Sequence, residues 1–262
     1  MRFAFCNEGF TDRTWPAVCA AIAEAGYDGV EIAPFTLAES VQAVSPHARE
    51  ELRRAAHDAG LEVVGLHWLL VKPEGLHISH PDAAVRARTR DYLRHLADFC
   101  ADLGGKVMVF GSPKQRGGTA GASPELFRAV APTLEERNVT LCFEPLGRGD
   151  TDFINTAGAA RKLVEEVASP RFRLILDAKA MCDEGEPAGI IRQHADLLAH
   201  VHANDANLEA PGFGATDFRP ILAALREVGY GGYVSVEPFR FPMDTGEIAR
   251  RARQYLAQCL PA

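Results

Sequence analysis

Short apolar runs recur along the chain, separated by longer segments whose apolar positions return every three or four residues. The runs are FAFC (3–6), GVEI (29–32), EVVGLHW (62–68), KVMVF (106–110), TLCFE (140–144), RLILD (173–177), LAHVH (198–202) and YVSVE (233–237). Rich in β-branched and aliphatic residues and bounded by Gly, Asn or Pro, they read as strands. They are near-continuous rather than alternating, the mark of parallel strands buried on both faces. The intervening segments, 14–25, 47–59, 82–103, 124–137, 157–168, 187–195, 219–228 and 245–258, carry the spacing of amphipathic helices. In AGYDG (25–29), AGLEV (59–63) and VGYGGY (228–233) a glycine follows a helix and precedes the next strand, as a helix stop requires.

Strand then helix, eight times, predicts an α/β chain folded as a (β/α)₈ TIM barrel, a single domain over residues 1–262. A doubly wound open sheet is the rival. It is weakened because neither GxGxxG nor GxxxxGK[ST] follows an early strand. The two most irregular stretches, GSPKQRGGTAGASPE (111–125) and NDANLEAPGFGATDF (204–218), follow the fourth and seventh strands, where a barrel carries its functional loops.

Composition narrows the function class. At 47% apolar and 24% charged residues the chain has the make-up of a folded globular protein. A net charge of −7 disfavours nucleic acid and anionic membranes as partners. The start MRFAFCNEGF has no apolar stretch of signal-peptide length, and no later segment offers the roughly 20 apolar residues of a membrane span, so a cytoplasmic location is expected. The six cysteines are far apart with no CxxC pairing, which implies neither a zinc ribbon nor a disulfide framework. Cys6 and Cys142, inside apolar runs, are expected as small buried hydrophobes.

Four successive strands end in metal-competent side chains: Glu144, Asp177, His202 and Glu237. Strand ends of a barrel surround one mouth, so residues scattered in sequence converge there. A helix cap or an Arg partner accounts for any one of them alone. Three carboxylates crowded together would repel one another and bind protons, and a cation is the simplest resolution. The oxygen-rich set suits one divalent metal, Mn²⁺ first, with Mg²⁺, Co²⁺ or Zn²⁺ also compatible. Glu31 ends the second strand, and His67 and Trp68 end the third, which makes them pocket-lining candidates. His200 points to the same side as His202 but deeper, where a core role and a ligand-orienting role both stay open. Lys114 and Arg116, among glycines after the fourth strand, suit an anion such as phosphate or carboxylate.

The strand-end pattern EPL (144–146), LILD (174–177), HVHAND (200–205) and VSVEPF (234–239) resembles the xylose isomerase-like TIM-barrel superfamily of sugar and sugar-phosphate isomerases and epimerases, which includes the ketose 3-epimerases. The resemblance spans essentially the whole chain. It implies a small carbohydrate substrate, a bound divalent metal and a homodimer or homotetramer. It also implies that Glu144 and Glu237 are catalytic, moving a proton through a metal-stabilised enediolate. Return of the proton to the opposite face of one carbon gives epimerisation, and return to the next carbon gives isomerisation. Asp150 stands where those enzymes carry an acid that bonds the proton-transfer glutamate or the substrate terminus. Two positions depart from the pattern: Ala180 replaces a substrate-binding His, and Leu208 an Arg. Lys179 is the candidate replacement contact. Competing readings are a lyase acting on an oxidised sugar through the same metal site and a non-catalytic binding protein. A nuclease of the endonuclease IV type would need more metal ligands and a basic surface.

Overall fold

The computed structural model describes residues 1–117 and 124–260. Residues 118–123 of the expected loop 111–125 lie outside the described residues. Eight strands close a parallel barrel in sequence order. They are β1 (Arg2–Cys6), β2 (Gly29–Ile32), β3 (Glu62–Leu66), β4 (Val107–Phe110), β5 (Thr140–Phe143), β6 (Phe172–Asp177), β7 (Leu198–Ala203) and β8 (Tyr233–Val236). The helices packed outside are α1 (Trp15–Glu24), α2 (Pro46–Asp58), α3 (Ala83–Asp102), α4 (Pro124–Arg137), α5 (Ala157–Val167), α6 (Ala178–Glu184), α7 (Pro187–His194), α8 (Phe218–Glu227) and α9 (Thr245–Cys259). The expected TIM barrel is therefore the observed fold. Among the described residues no helix is long and apolar enough to cross a membrane.

The glycine stop signals act as expected. Gly26, Gly60 and Gly229 have φ of 88°, 80° and 71°, a left-handed turn that costs glycine little and reverses the chain into the next strand. Helix starts are fixed by side chains: Asp82, Thr156 and Asp244 accept from the backbone N–H of Ala84, Ala159 and Glu247. One element was not foreseen. The seven-residue helix α6 begins directly at the end of β6, with Asp177 as its cap, too short for a repeating apolar stripe to reveal it.

Packing divides into two zones. Between strands and helices, Phe110, Phe127, Phe143 and Phe172 form one aromatic block, with Phe127 of α4 set 4.7 Å from Phe172. Inside the barrel the apolar side chains form two clusters, Val109, Cys142 and Ile175 in one and Ala4, Val64 and Tyr233 in the other. The same interior holds polar groups, with Glu31, His200 and His202 all buried.

β4 passes close over Gly65 of β3. A Cβ added at Gly65 would lie 1.9 Å from the Val107 carbonyl oxygen, a backbone atom that cannot yield. Gly65→Ala should therefore destabilise the fold by about 3 kcal/mol, read by urea unfolding. Wild-type stability in that variant would show that the two strands separate freely.

Candidate metal centre and active site

Backbone pairing continues one residue past several strand ends and carries the site. Glu144 N–H donates to the Phe110 carbonyl and Glu237 N–H to the Ala203 carbonyl, each at 3.1 Å, and His67 N–H donates to Ile32 at 3.0 Å. Glu144, Glu237 and His67 thus stand just beyond their strands rather than as the last strand residues. Asp177 and His202 are register partners on β6 and β7.

The four strand-end residues come together: Glu144, Asp177, His202 and Glu237 each offer one ligand atom within 4.8 Å of the others, all buried. Each is held. Asp177 Oδ1 accepts from Ala180 N–H at 2.8 Å, capping α6, and its Oδ2 accepts from Asn204 Nδ2 at 2.6 Å. Glu144 sits over Gly111, where an added Cβ would lie 2.1 Å from Glu144 Oε2; the absence of a side chain makes room for the carboxylate.

His202 is oriented from behind. Its Nε2 lies 3.1 Å from Glu31 Oε1, and His200 Nε2 lies 2.8 Å from Glu31 Oε2. Burial alone would push the Glu31 carboxyl up, but the two imidazoles outweigh burial and hold it well below the usual carboxylate range. An ionised Glu31 accepts, so Nε2 of His202 donates to it and Nδ1 is the nitrogen left facing the mouth. Nδ1 is 2.8 Å from Glu237 Oε2 and 3.8 Å from Glu144 Oε1, yet it is buried and not aligned for a hydrogen bond with either. A buried imidazole nitrogen aimed between carboxylates without a donor or acceptor is what a metal ligand looks like, and this donor set fits a hard divalent cation.

The electrostatics say the same. Burial pushes Glu144 well above the usual carboxylate range despite nearby His202, with Glu237 and Asp177 adding to the rise. Burial lifts Asp177 to about 6. For His202, burial pulls down, but Glu237 and Glu31 more than reverse it. The cluster holds surplus protons that a cation would displace.

An open-mouthed cavity of about 750 Å³ lies over this cluster. His67, Trp68, Asp150 and Lys179, all foreseen as lining candidates, are on its wall. Three other expectations are corrected. Glu31 does not reach the cavity, because it is fully buried behind the histidines and is spent on orienting them. Arg116 turns inward: its guanidinium donates to the Glu144 carbonyl at 2.6 Å and lies over the Phe143 ring at 5.1 Å. Burial brings it down to about 10. Lys114 is exposed and outside the cavity wall. The loop after β4 is therefore not an anion cradle in its described part. Asp150 bonds Lys179 at 2.9 Å rather than a glutamate, and Asp183 takes the same ammonium at 3.0 Å.

Residues the sequence reading missed are Glu8, Asn204 and Asp183. Glu8 lies 3.1 Å from His67 Nε2. It stands two residues beyond FAFC, so the strand-end argument applied to β1 would have found it. Asn204 stands two residues after His202, on the same side by strand alternation. Ala180 and Leu208, the two departures, do lie on the cavity wall. Leu208 has φ of 71°, and its carbonyl accepts from Phe239 and Arg240 N–H at 2.9 Å, tying the β7 and β8 loops together.

Residues 19–259 match the family model of the xylose isomerase-like TIM barrel. The chain is 27% identical over 230 residues to the D-psicose 3-epimerase of Agrobacterium fabrum, covering 83% of this chain and 77% of that one. It is 25% identical over 258 residues to the 3-dehydro-D-guloside 4-epimerase of Escherichia coli, covering 91% and 92%. Among solved structures, a D-psicose 3-epimerase crystallised in the presence of D-fructose superimposes with a TM-score of 0.86 over 98% of each chain at 22% identity, a likeness of fold.

Two outcomes are expected. Because Asp177 and Glu144 are raised in the fold, the metal-free protein holds more protons than its unfolded chain between about pH 4 and 6, and its stability falls as pH rises through that window. Added Mn²⁺ should therefore raise Tm by at least about 5 °C more at pH 7.5 than at pH 5, followed by differential scanning fluorimetry. An equal gain at both values would mean the cation does not compete with these protons. Glu31→Gln should weaken Mn²⁺ affinity roughly 10- to 100-fold by calorimetry; unchanged affinity would remove its orienting role.

Proposed function

The chain belongs to the xylose isomerase-like TIM-barrel family, and from that premise we propose that it is a divalent-metal-dependent epimerase of a free ketose or keto-sugar. The observation that carries the proposal is the buried His202 Nδ1, turned by Glu31 toward three buried carboxylates and without a hydrogen-bond partner. The epimerases among its relatives are its second support.

Glu144, Asp177, His202 and Glu237 would hold the cation. Bound there, it would draw electron density from a carbonyl oxygen, making the proton on the adjacent hydroxyl-bearing carbon acidic enough to remove. The rest of the task falls to side chains. Glu144 and Glu237 come from different strands of the barrel and flank the centre, so one takes the carbon proton and the other returns it on the opposite face. Asn204 and the α6 backbone fix Asp177, which keeps it as an acceptor and out of proton transfer.

The wall favours an uncharged sugar. Lys179 is the one Lys or Arg lining the cavity among the described residues, and its ammonium is shared by Asp150 and Asp183. With Lys114 and Arg116 off the cavity wall, a phosphate would meet no uncommitted Lys or Arg there among the described residues. The pocket is otherwise apolar around Trp68, Leu146, Leu208 and Phe239, surfaces on which a sugar ring or chain stacks its C–H faces.

The test is exchange of substrate C–H with D₂O by NMR, using Mn²⁺-loaded protein and ketoses with and without phosphate. Exchange should occur with free ketoses, stop with chelator and be much slower with phosphates. Glu237→Gln should lower kcat by roughly 10³-fold with the cation largely retained, whereas His202→Ala should lose the cation itself. Full activity in either variant would dismiss the assigned site, and a product missing a hydroxyl would make the enzyme a lyase.

A further inference from the structure

One polar cluster at the edge of the cavity is not used by the metal centre. Glu8 follows β1, and His67 and Trp68 follow β3. His67 is fully buried, and neither ring nitrogen makes an aligned hydrogen bond, although Nε2 lies 3.1 Å from Glu8 Oε2. Both Glu8 carboxylate oxygens and Trp68 Nε1 are likewise buried without a partner. Native interiors satisfy nearly all such groups, and His67 and Trp68 line the cavity with Glu8 against His67, so these orphans mark a place where a ligand supplies the missing partners. Across the barrel, on the β6 and β7 side, the wall carries Ala180 and Leu208 and offers their side chains no hydrogen bond.

We propose that Glu8, His67 and Trp68 form a subsite reading the sugar hydroxyl on the carbon next to the one epimerised; this rests on the epimerase reading above. A hydroxyl has one donor and two acceptor positions. Glu8 accepts its proton, Trp68 Nε1–H donates to its oxygen, and His67 takes the remaining position. The location follows from Glu237: ligand atoms of Glu8, His67 and Glu237 lie within 4.8 Å of one another. An oxygen reached from both Glu8 and His67 is then the next one along the sugar from the carbon Glu237 serves. The substrate class becomes a ketose with a free hydroxyl beside the reacting carbon, its other end against the apolar wall.

The experiment is calorimetric binding of D-fructose, D-psicose and D-tagatose and their 4-deoxy counterparts to Mn²⁺-loaded wild type, Glu8→Gln and Trp68→Phe, with cation content measured in each. In wild type, loss of the hydroxyl should weaken binding roughly 100-fold. Each variant should shrink that preference below about tenfold while keeping one cation per chain. Equal affinity for parent and deoxy sugars in wild type overturns the subsite, as does an undiminished preference in both variants. Two cations per wild-type chain, one of them lost in Glu8→Gln, would assign the cluster to a second metal instead. If no ketose binds wild type, the epimerase reading falls and the subsite with it, whereas binding without discrimination strikes the subsite alone.

Discussion

An anion clasped between two imidazoles in the middle of the barrel governs this molecule. Glu31 has no exposed surface, and its two oxygens meet His200 and His202. A buried carboxylate is tolerated only when paired and hydrogen-bonded, and here the pairing decides which nitrogen of His202 faces the mouth. The three carboxylates above then lie around Nδ1, the nitrogen a cation would take. Remove the clasp and the imidazole is free to turn, and the four-residue cluster loses its one nitrogen ligand.

Much of this was legible beforehand because barrels reveal themselves twice: in the alternation of continuous apolar runs with amphipathic segments, and in what stands at each run's end. Glu144, Asp177, His202 and Glu237 met because four adjacent strands deliver the side chains at or just past their ends to one mouth. Position along the chain could not distinguish a residue that faces the cavity from one that supports it. Glu31 and His67 both stand at strand ends, yet Glu31 is one level lower, spent on histidines, while His67 lines the cavity. Arg116 and Lys114 were read from loop composition, which is blind to the direction a side chain takes; the aromatic ring of Phe143 and the Glu144 carbonyl drew Arg116 inward. Helix α6 escaped because seven residues hold too little periodicity.

The cavity has two unlike walls. On the β1 and β3 side, donors and acceptors wait without partners; on the β6 and β7 side, Ala180 and Leu208 present hydrocarbon, and the nearby ammonium of Lys179 is committed to two aspartates. Trp68, Ser112 and Leu208 are all left-handed non-glycine residues lining this cavity. Such backbone costs about 1–3 kcal/mol at each position and persists where surrounding structure enforces it. For Leu208 the enforcement is visible in the paired N–H donors of Phe239 and Arg240.

The buried histidine pair also bears on how this sequence tolerates change. In most barrels the interior is a store of stability, open to conservative aliphatic exchange. Here His200 and Glu31 occupy interior space that Val, Ile or Leu would fill at a gain in folding free energy. A redesign, or a drift of sequence, that optimises packing alone would therefore yield a tighter barrel with an inert mouth. Screens for thermal resistance would enrich such variants, so any stability-guided library for this scaffold has to hold positions 31, 200 and 202 fixed.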